Sequence, residues 1–252
     1  MKNFSFSVPQ DIIVGAGSIK KLGECATKLG GTHALIISGP HLNKMGLVDT
    51  CKQSLADVGI PADAFTETEG NPSVETVEKA TKLYKECGAD FIVAFGGGSP
   101  MDVAKAVGVI AKYGGSITEY EGGGKVPGPI VPQIAIPTTA GTGSEVTPFA
   151  VITDEKTGTK YPLADYQLMP NMAIVDTDMM MSAPRGLTSA SGIDALTHAL
   201  EAYASVMATD YTDGLALRAM KLIFKYLPGA YDNGQTDVKA REEMATASTM
   251  AG

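Results

Sequence analysis

An aspartate and a histidine stand four residues apart in Gly192-Ile193-Asp194-Ala195-Leu196-Thr197-His198. On a helix this spacing sets both side chains on one face about one turn apart. One oxygen and one nitrogen donor so placed suit Fe2+ or Zn2+, although isolated pairs of this kind are common and mostly surface contacts. Two glycine-rich segments offer a different chemistry. Gly96-Gly97-Gly98-Ser99-Pro100-Met101-Asp102 follows the apolar run Phe91 to Phe95 and leads into a helical pattern from Val103 to Ala111. Residues without a Cβ let a diphosphate approach the backbone, and a helix N-terminus adds unpaired N–H groups and a positive dipole end. The competing reading is a plain strand-to-helix turn, with Ser99 as cap and Pro100 at the first helical position. Met101 occupies the place of the third glycine in the usual fingerprint, and no acidic ribose partner follows at about 20 residues. Pro137-Thr138-Thr139-Ala140-Gly141-Thr142-Gly143-Ser144-Glu145 is a second such loop after an apolar run. Its hydroxyl and backbone donors suit a phosphate or a carboxamide, and solvated polar connections look the same. Two loops of this kind at strand ends in one α/β unit point to a dinucleotide in the crevice between them.

The elements that must hold these loops alternate. Helical stretches are expected near Ser18 to Leu29, Leu42 to Val58 and Val74 to Cys87, and strands at Ala34 to Ser38, Ala64 to Phe65 and Phe91 to Phe95. Strands alternating with helices of ten or more residues imply crossover units and a parallel sheet. Gly114 to Pro137 is rich in glycine and proline and reads as loop or edge. Further strands are expected at Gln133 to Ile136, Phe149 to Thr153 and Ala173 to Val175, with a turn over Thr153 to Gly158 as a hairpin tip. After Pro184 the strand signals stop and helical patterns take over, at Ser191 to Ser205, Tyr211 to Tyr226 and Val238 to the end. The expected organisation is an α/β nucleotide-binding domain with a parallel sheet over residues 1–183, followed over 184–252 by the start of an all-α domain.

Bulk properties narrow the partners. The 252 residues are 44% hydrophobic and 19% charged, within the ordinary globular range. Twenty-eight acidic residues against 20 basic give a net charge of -8, and no Lys/Arg run tracks a phosphate backbone, so nucleic acid is not an expected partner. Pro9, Gln10 and Asp11 interrupt any signal-peptide pattern, and no apolar run reaches the roughly 18 residues of a membrane span. Cys25, Cys51 and Cys87 are odd in number and widely spaced, which suits reduced thiols in a cytoplasmic protein better than a disulfide framework.

Taken together, the segments Gly96 to Asp102, Thr138 to Thr147 and Gly192 to Glu201 resemble the iron-containing (group III) alcohol dehydrogenase family, and Lys160 to Asp165 and Ala173 to Asp176 look like it too. The resemblance runs the whole length and implies a dehydroquinate synthase-like architecture. It implies that Gly97, Gly98 and Ser99 hold the cofactor diphosphate with Asp102 beside it. Thr138, Thr139 and Thr142 would lie along the phosphate and nicotinamide side, with Phe149, Val151 and Lys160 lining the cofactor and substrate cleft. Asp194 and His198 would be the first two ligands of Fe2+ or Zn2+. The implied reaction moves a hydride between NAD or NADP and a small primary alcohol or aldehyde, the ion lowering the alcohol's pKa or polarising the carbonyl. The implied assembly is a homo-oligomer, a dimer or higher. Polyol dehydrogenases and lyases of the same superfamily are the related alternative, and a non-catalytic dinucleotide-binding fragment the unrelated one.

Two departures from the family pattern matter. Members preferring NAD carry an Asp after the first long strand, whereas this chain reads Ser38-Gly39-Pro40, so a 2′-phosphate meets no repulsion at Gly39 and NADP is expected to be tolerated. Members also draw two further histidine ligands from later helices, whereas the histidines here are His33, His41 and His198. The metal site is therefore expected to be half present and the 252-residue chain alone inactive, with no catalytic residue assignable from the sequence.

Overall fold

The computed structural model describes residues 3–252. In chain order the elements are β1 (Asp11–Val14), α1 (Leu22–Leu29), β2 (Ala34–Ile37), α2 (Pro40–Lys44), α3 (Leu47–Ala56), β3 (Ala62–Phe65), α4 (Val74–Cys87), β4 (Phe91–Gly96) and α5 (Gly98–Tyr113). They continue with β5 (Gly122–Gly123), β6 (Gln133–Pro137), β7 (Phe149–Asp154), β8 (Thr159–Ala164), β9 (Met172–Val175), α6 (Arg185–Ala204), α7 (Asp210–Asn233) and α8 (Val238–Ala251).

Strands β2, β4, β6 and β9 are buried throughout and, apart from Gln133 at the start of β6, apolar, as strands covered on both faces must be. With β1 and β3 at the edges they form one sheet in the order β1-β9-β6-β4-β2-β3, every pair parallel. Leu22, Cys25 and Ala26 of α1 and Val48, Cys51 and Leu55 of α3 cover one face, packed on Ile36, Val93 and Ile134. Val77, Ala80 and Tyr84 of α4 and the apolar side of α5 cover the other, packed on Leu35, Ile37, Ile92 and Ala135. Each fully buried aliphatic side chain stabilises the fold by about 1.5–3 kcal/mol relative to exposure. The chain leaves β2 towards α3 on one face and β4 towards α5 on the other. Between these neighbouring strands the connections diverge, opening a crevice at the carboxyl end of the sheet, where ligands bind in open α/β folds.

Several elements differ from the sequence expectations. The helix expected over Leu42 to Val58 is two helices, α2 and α3, because Gly46 adopts a left-handed φ of 73° between them. Helix α5 begins at Gly98 rather than Val103, with Gly97 as its N-cap and Gly96 closing β4. Helix α6 begins at Arg185, six residues ahead of Ser191. Helix α7 runs to Asn233 through Pro228; the lost hydrogen bond is tolerated because Leu227 and Ala230 on either side pack into a core with Ala195, Ile223, Ala240 and Met244. Residues 159–164 form a strand, so the turn after Asp154 does close an antiparallel hairpin. Together with β5 it makes a second small sheet.

The three final helices pack on one another and are fastened to the α/β part by Arg241. Its buried guanidinium donates to Thr188 Oγ1 at 2.8 Å, Ala183 O at 2.7 Å and Gly234 O at 2.9 Å. Among the described residues no helix is long and apolar enough to cross a membrane.

Candidate functional site

Three strand ends deliver the loops singled out above to one place. Gly39 follows β2, Gly97 and Gly98 follow β4, and Thr138 to Thr142 follow β6. A cavity of about 650 Å3 opens between them, lined by Gly39, Gly97, Gly98, Ser99, Thr138, Thr139 and Thr142. The backbone turn that delivers β4 into α5 needs glycine at position 96, where φ is +151° and a Cβ would lie 2.6 Å from the Pro100 ring. The second loop makes a comparably tight approach to the helical part: a Cβ at Gly141 would sit 2.6 Å from that of Ser191 on α6. The Thr68 hydroxyl, buried on the cavity wall, has no hydrogen-bond partner among the described residues.

A second cavity, of about 590 Å3, lies against α6 and α8 and is lined by Asp102, Thr147, Phe149, Val151, Asp194 and His198. Both cavities are lined by Gly98, Thr142 and Asp194, so they lie side by side. On α6 the Asp194 Oδ1 and His198 Nε2 atoms are 3.7 Å apart, with side chains 45% and 36% exposed. Bonds of about 2.0–2.2 Å to a shared ion place two donors roughly 3–3.5 Å apart, so a small rotation lets this oxygen and nitrogen serve one Fe2+ or Zn2+. The remaining histidines lie elsewhere. His41 lines the first cavity from α2, and His33 precedes β2 at the other end of the sheet. Of the residues expected at the site, Lys160 is the one lining neither cavity. It sits on β8, where its Nζ donates to Asn71 Oδ1 at 2.7 Å.

Lys105 is the central residue that the sequence reading missed. It is wholly buried on α5 one turn past Asp102, and its Nζ donates to Ser144 O at 2.8 Å, Thr147 O at 2.9 Å and Phe149 O at 2.7 Å. Three carbonyl acceptors call for three N–H groups, hence for the ammonium form. Burial lowers the Lys105 pKa to about 8, while the charges of Asp102 and Glu145 favour the proton. Burial pushes Asp102 up to about 7, and the Lys105 charge pulls it back. Glu145, also buried and raised by burial, accepts from Thr249 Oγ1 on α8 at 2.8 Å. One signal was legible: Lys105 is a single charge inside the apolar stretch Val103 to Ile110. Its partners, some 40 residues away, were not. A larger open hollow of about 770 Å3 along α7, lined by Leu217, Met220, Phe224 and three basic side chains, gathers no carboxylate or imidazole.

An open parallel sheet with a glycine-lined crevice, followed by an all-helical part that carries a carboxylate–imidazole pair, defines an α/β protein of dinucleotide-fold type with a helical C-terminal part. The chain belongs to the iron-containing alcohol dehydrogenase family: the family model of that description matches residues 9–177, and that of the Fe-containing alcohol dehydrogenase family C-terminal region matches 188–252. It is 42% identical over 248 residues to the NAD-dependent methanol dehydrogenase of Bacillus methanolicus, covering 98% of this chain and 65% of that protein. Among solved structures, a 1,3-propanediol oxidoreductase superposes with a TM-score of 0.97 at 37% identity, covering 100% of this chain and 65% of the other. The sulfoacetaldehyde reductase of Bifidobacterium kashiwanohense in complex with NAD+ gives a TM-score of 0.94 at 34% identity, covering 100% and 66%. The chain thus spans a little under two thirds of the length of these relatives.

Proposed function

We propose that this chain carries the cofactor site and the first metal ligands of an NAD(P)-dependent alcohol dehydrogenase that also reduces small aldehydes. The observation that carries this reading is that the two cavities share Gly98, Thr142 and Asp194 as a common wall. A nicotinamide ring reaching past Gly98 in the first would meet an alcohol oxygen beside Asp194 and His198 in the second. In this reading residues 1–183 are the cofactor domain and 184–252 the beginning of the metal-binding domain. The first turn of α5 binds the diphosphate through Gly97, Gly98 and Ser99, with Asp102 at the same site. The hydroxyls of Thr138, Thr139 and Thr142 orient the cofactor along the second loop. Phe149 and Val151 cover the reacting centre and exclude water, whereas Lys160, turned to Asn71, takes no part in the cleft. An Fe2+ or Zn2+ ion held by Asp194 and His198 supplies Lewis acidity to the alcohol or aldehyde oxygen.

Gly39 presents no carboxylate to the adenosine ribose, which supports use of NADP as well as NAD. The apolar, unpaired side of edge strand β1, with Ile12 and Val14 exposed, supports self-association, with a dimer as the simplest assembly. Three free cysteines support a reducing, cytoplasmic setting. The test is an assay of the complete gene product, carrying whatever further metal ligands the gene encodes, reconstituted with Fe2+ or Zn2+ and following oxidation of NADH and NADPH across short aldehydes. Metal-dependent turnover with at least one aldehyde is expected, and no turnover with any of them overturns the reading.

A further inference from the structure

The opposite end of the sheet carries a second set of metal donors. His33 stands directly before β2, Asp63 is the second residue of β3, and Cys87 ends α4. The pleat brings them together. In a strand, residues two apart share a face, so His33 extends the row of Leu35 and Ile37, and Asp63 that of Phe65. Both rows lie on the side covered by α4, against which Cys87 also packs. One ligand atom from each of the three side chains lies within 4.8 Å of the other two. His33 Nε2 and Asp63 Oδ2 are 2.8 Å apart, with side chains 25% and 50% exposed, so an ion has an open path in. The backbone at His33 is pinned: Asp90 accepts from the amides of both Thr32 and His33 at 3.0 Å.

We propose that His33, Asp63 and Cys87 form a second divalent-cation site, selective for Zn2+-class ions, at the amino end of the sheet. The chemistry follows from the donor set. A thiolate, a carboxylate and a neutral imidazole balance a 2+ charge with one unit each from sulfur and oxygen. Sulfur with nitrogen favours zinc over magnesium or calcium. Bonds of about 2.0–2.3 Å in a tetrahedron require donors roughly 3.3–3.8 Å apart. The proton now shared between His33 and Asp63 is replaced by the ion as those two atoms separate slightly, and rotation of Cys87 closes the third edge. Water completes the tetrahedron from the exposed side. Binding displaces the Cys87 thiol proton and any proton on the ligating imidazole nitrogen to solvent, with no change of oxidation state. The site is separate from the Asp194–His198 pair, which lies at the carboxyl end of the sheet and contains no sulfur.

Absence of sulfur from that pair makes the test specific. Co2+ titrated into the reduced 252-residue chain should develop a thiolate-to-cobalt charge-transfer absorption in the near ultraviolet, which Zn2+ then bleaches by competition. The buried Cys25 and Cys51 predict that the band survives serine substitution at either. Cys87→Ser should abolish it. His33→Gln and Asp63→Asn should each weaken cobalt binding by at least about tenfold, as loss of a ligand must. His198→Ala should leave the band unchanged. No band at saturating cobalt, a band that persists in Cys87→Ser, or full affinity retained in both His33→Gln and Asp63→Asn overturns the proposal.

Discussion

The α/β part and the helical part of this molecule are finished to different degrees. In the α/β part every central strand is buried on both faces, and the first cavity is walled by the loops that follow three neighbouring strands. The helical part buries one seam of mostly small side chains, while Phe224 stays 69% exposed and Val206 96%. The candidate site inherits this difference. Its cofactor side is a preformed cavity, and its metal side is two half-exposed donors on one helix. Binding of the dinucleotide and binding of the ion should therefore be separable in this chain.

The largest test of that contrast lies beneath the cavity wall. Lys105→Met strips the donor from three carbonyls and leaves Asp102 and Glu145 without their buried counter-charge. It should cost about 3–5 kcal/mol, read as a lowered midpoint in urea denaturation. The same buried group of charges sets a pH dependence. Asp102 is raised to about 7 by burial, so the folded state keeps a proton that the unfolded chain releases at about 4. The stability this gives is full below about pH 4 and is lost as the pH climbs through about 7. Urea midpoints measured across that window should show the fall, and Asp102→Asn should flatten it.

Next in size, His198→Ala should weaken retention of Fe2+ or Zn2+ at the Asp194 site by about 100-fold or more. NADPH binding, followed by its fluorescence, should stay unchanged; loss of both together would mean that the two halves are not separable. Gly39→Asp acts on the finished half alone. Its Cβ would meet only the Thr68 carbonyl oxygen at 3.3 Å, so a carboxylate fits with a slight adjustment. Repulsion of the 2′-phosphate should shift the NADPH-to-NADH affinity ratio towards NADH by about tenfold or more. The smallest effect belongs to the unfinished half. Phe224→Ser on the open face of α7 should change the stability of the 252-residue chain by no more than about 0.5 kcal/mol, and a larger loss would show that this face is covered.

Much of this was legible in the residues themselves. The apolar runs at 34–37, 91–95 and 134–136 announce doubly covered strands, since strands buried on both faces cannot alternate. The glycines after them mark where the backbone must come close to something. The i, i+4 pair at Asp194 and His198 needs only a helix, and helical periodicity supplied one. Boundaries were less legible: Gly46 splits a helix that its flanking apolar pattern would have continued, and the early start of α6 comes with bonds to distant residues, Arg185 donating to Asp232 O and Thr188 accepting from Arg241.

The sequence by itself determined the parallel α/β class, the two glycine-rich loops at strand ends and the helix that carries Asp194 and His198, because each is written in short-range periodicity or spacing. Tertiary structure alone decided that Lys105 is buried beneath the 144–149 loop, that Lys160 turns to Asn71, and that His33, Asp63 and Cys87 meet at one edge of the sheet. Those outcomes depend on strand order and on the side of the sheet to which each helix returns. Residues some 25 to 90 positions apart acquire a common environment only once the whole sheet has set its register.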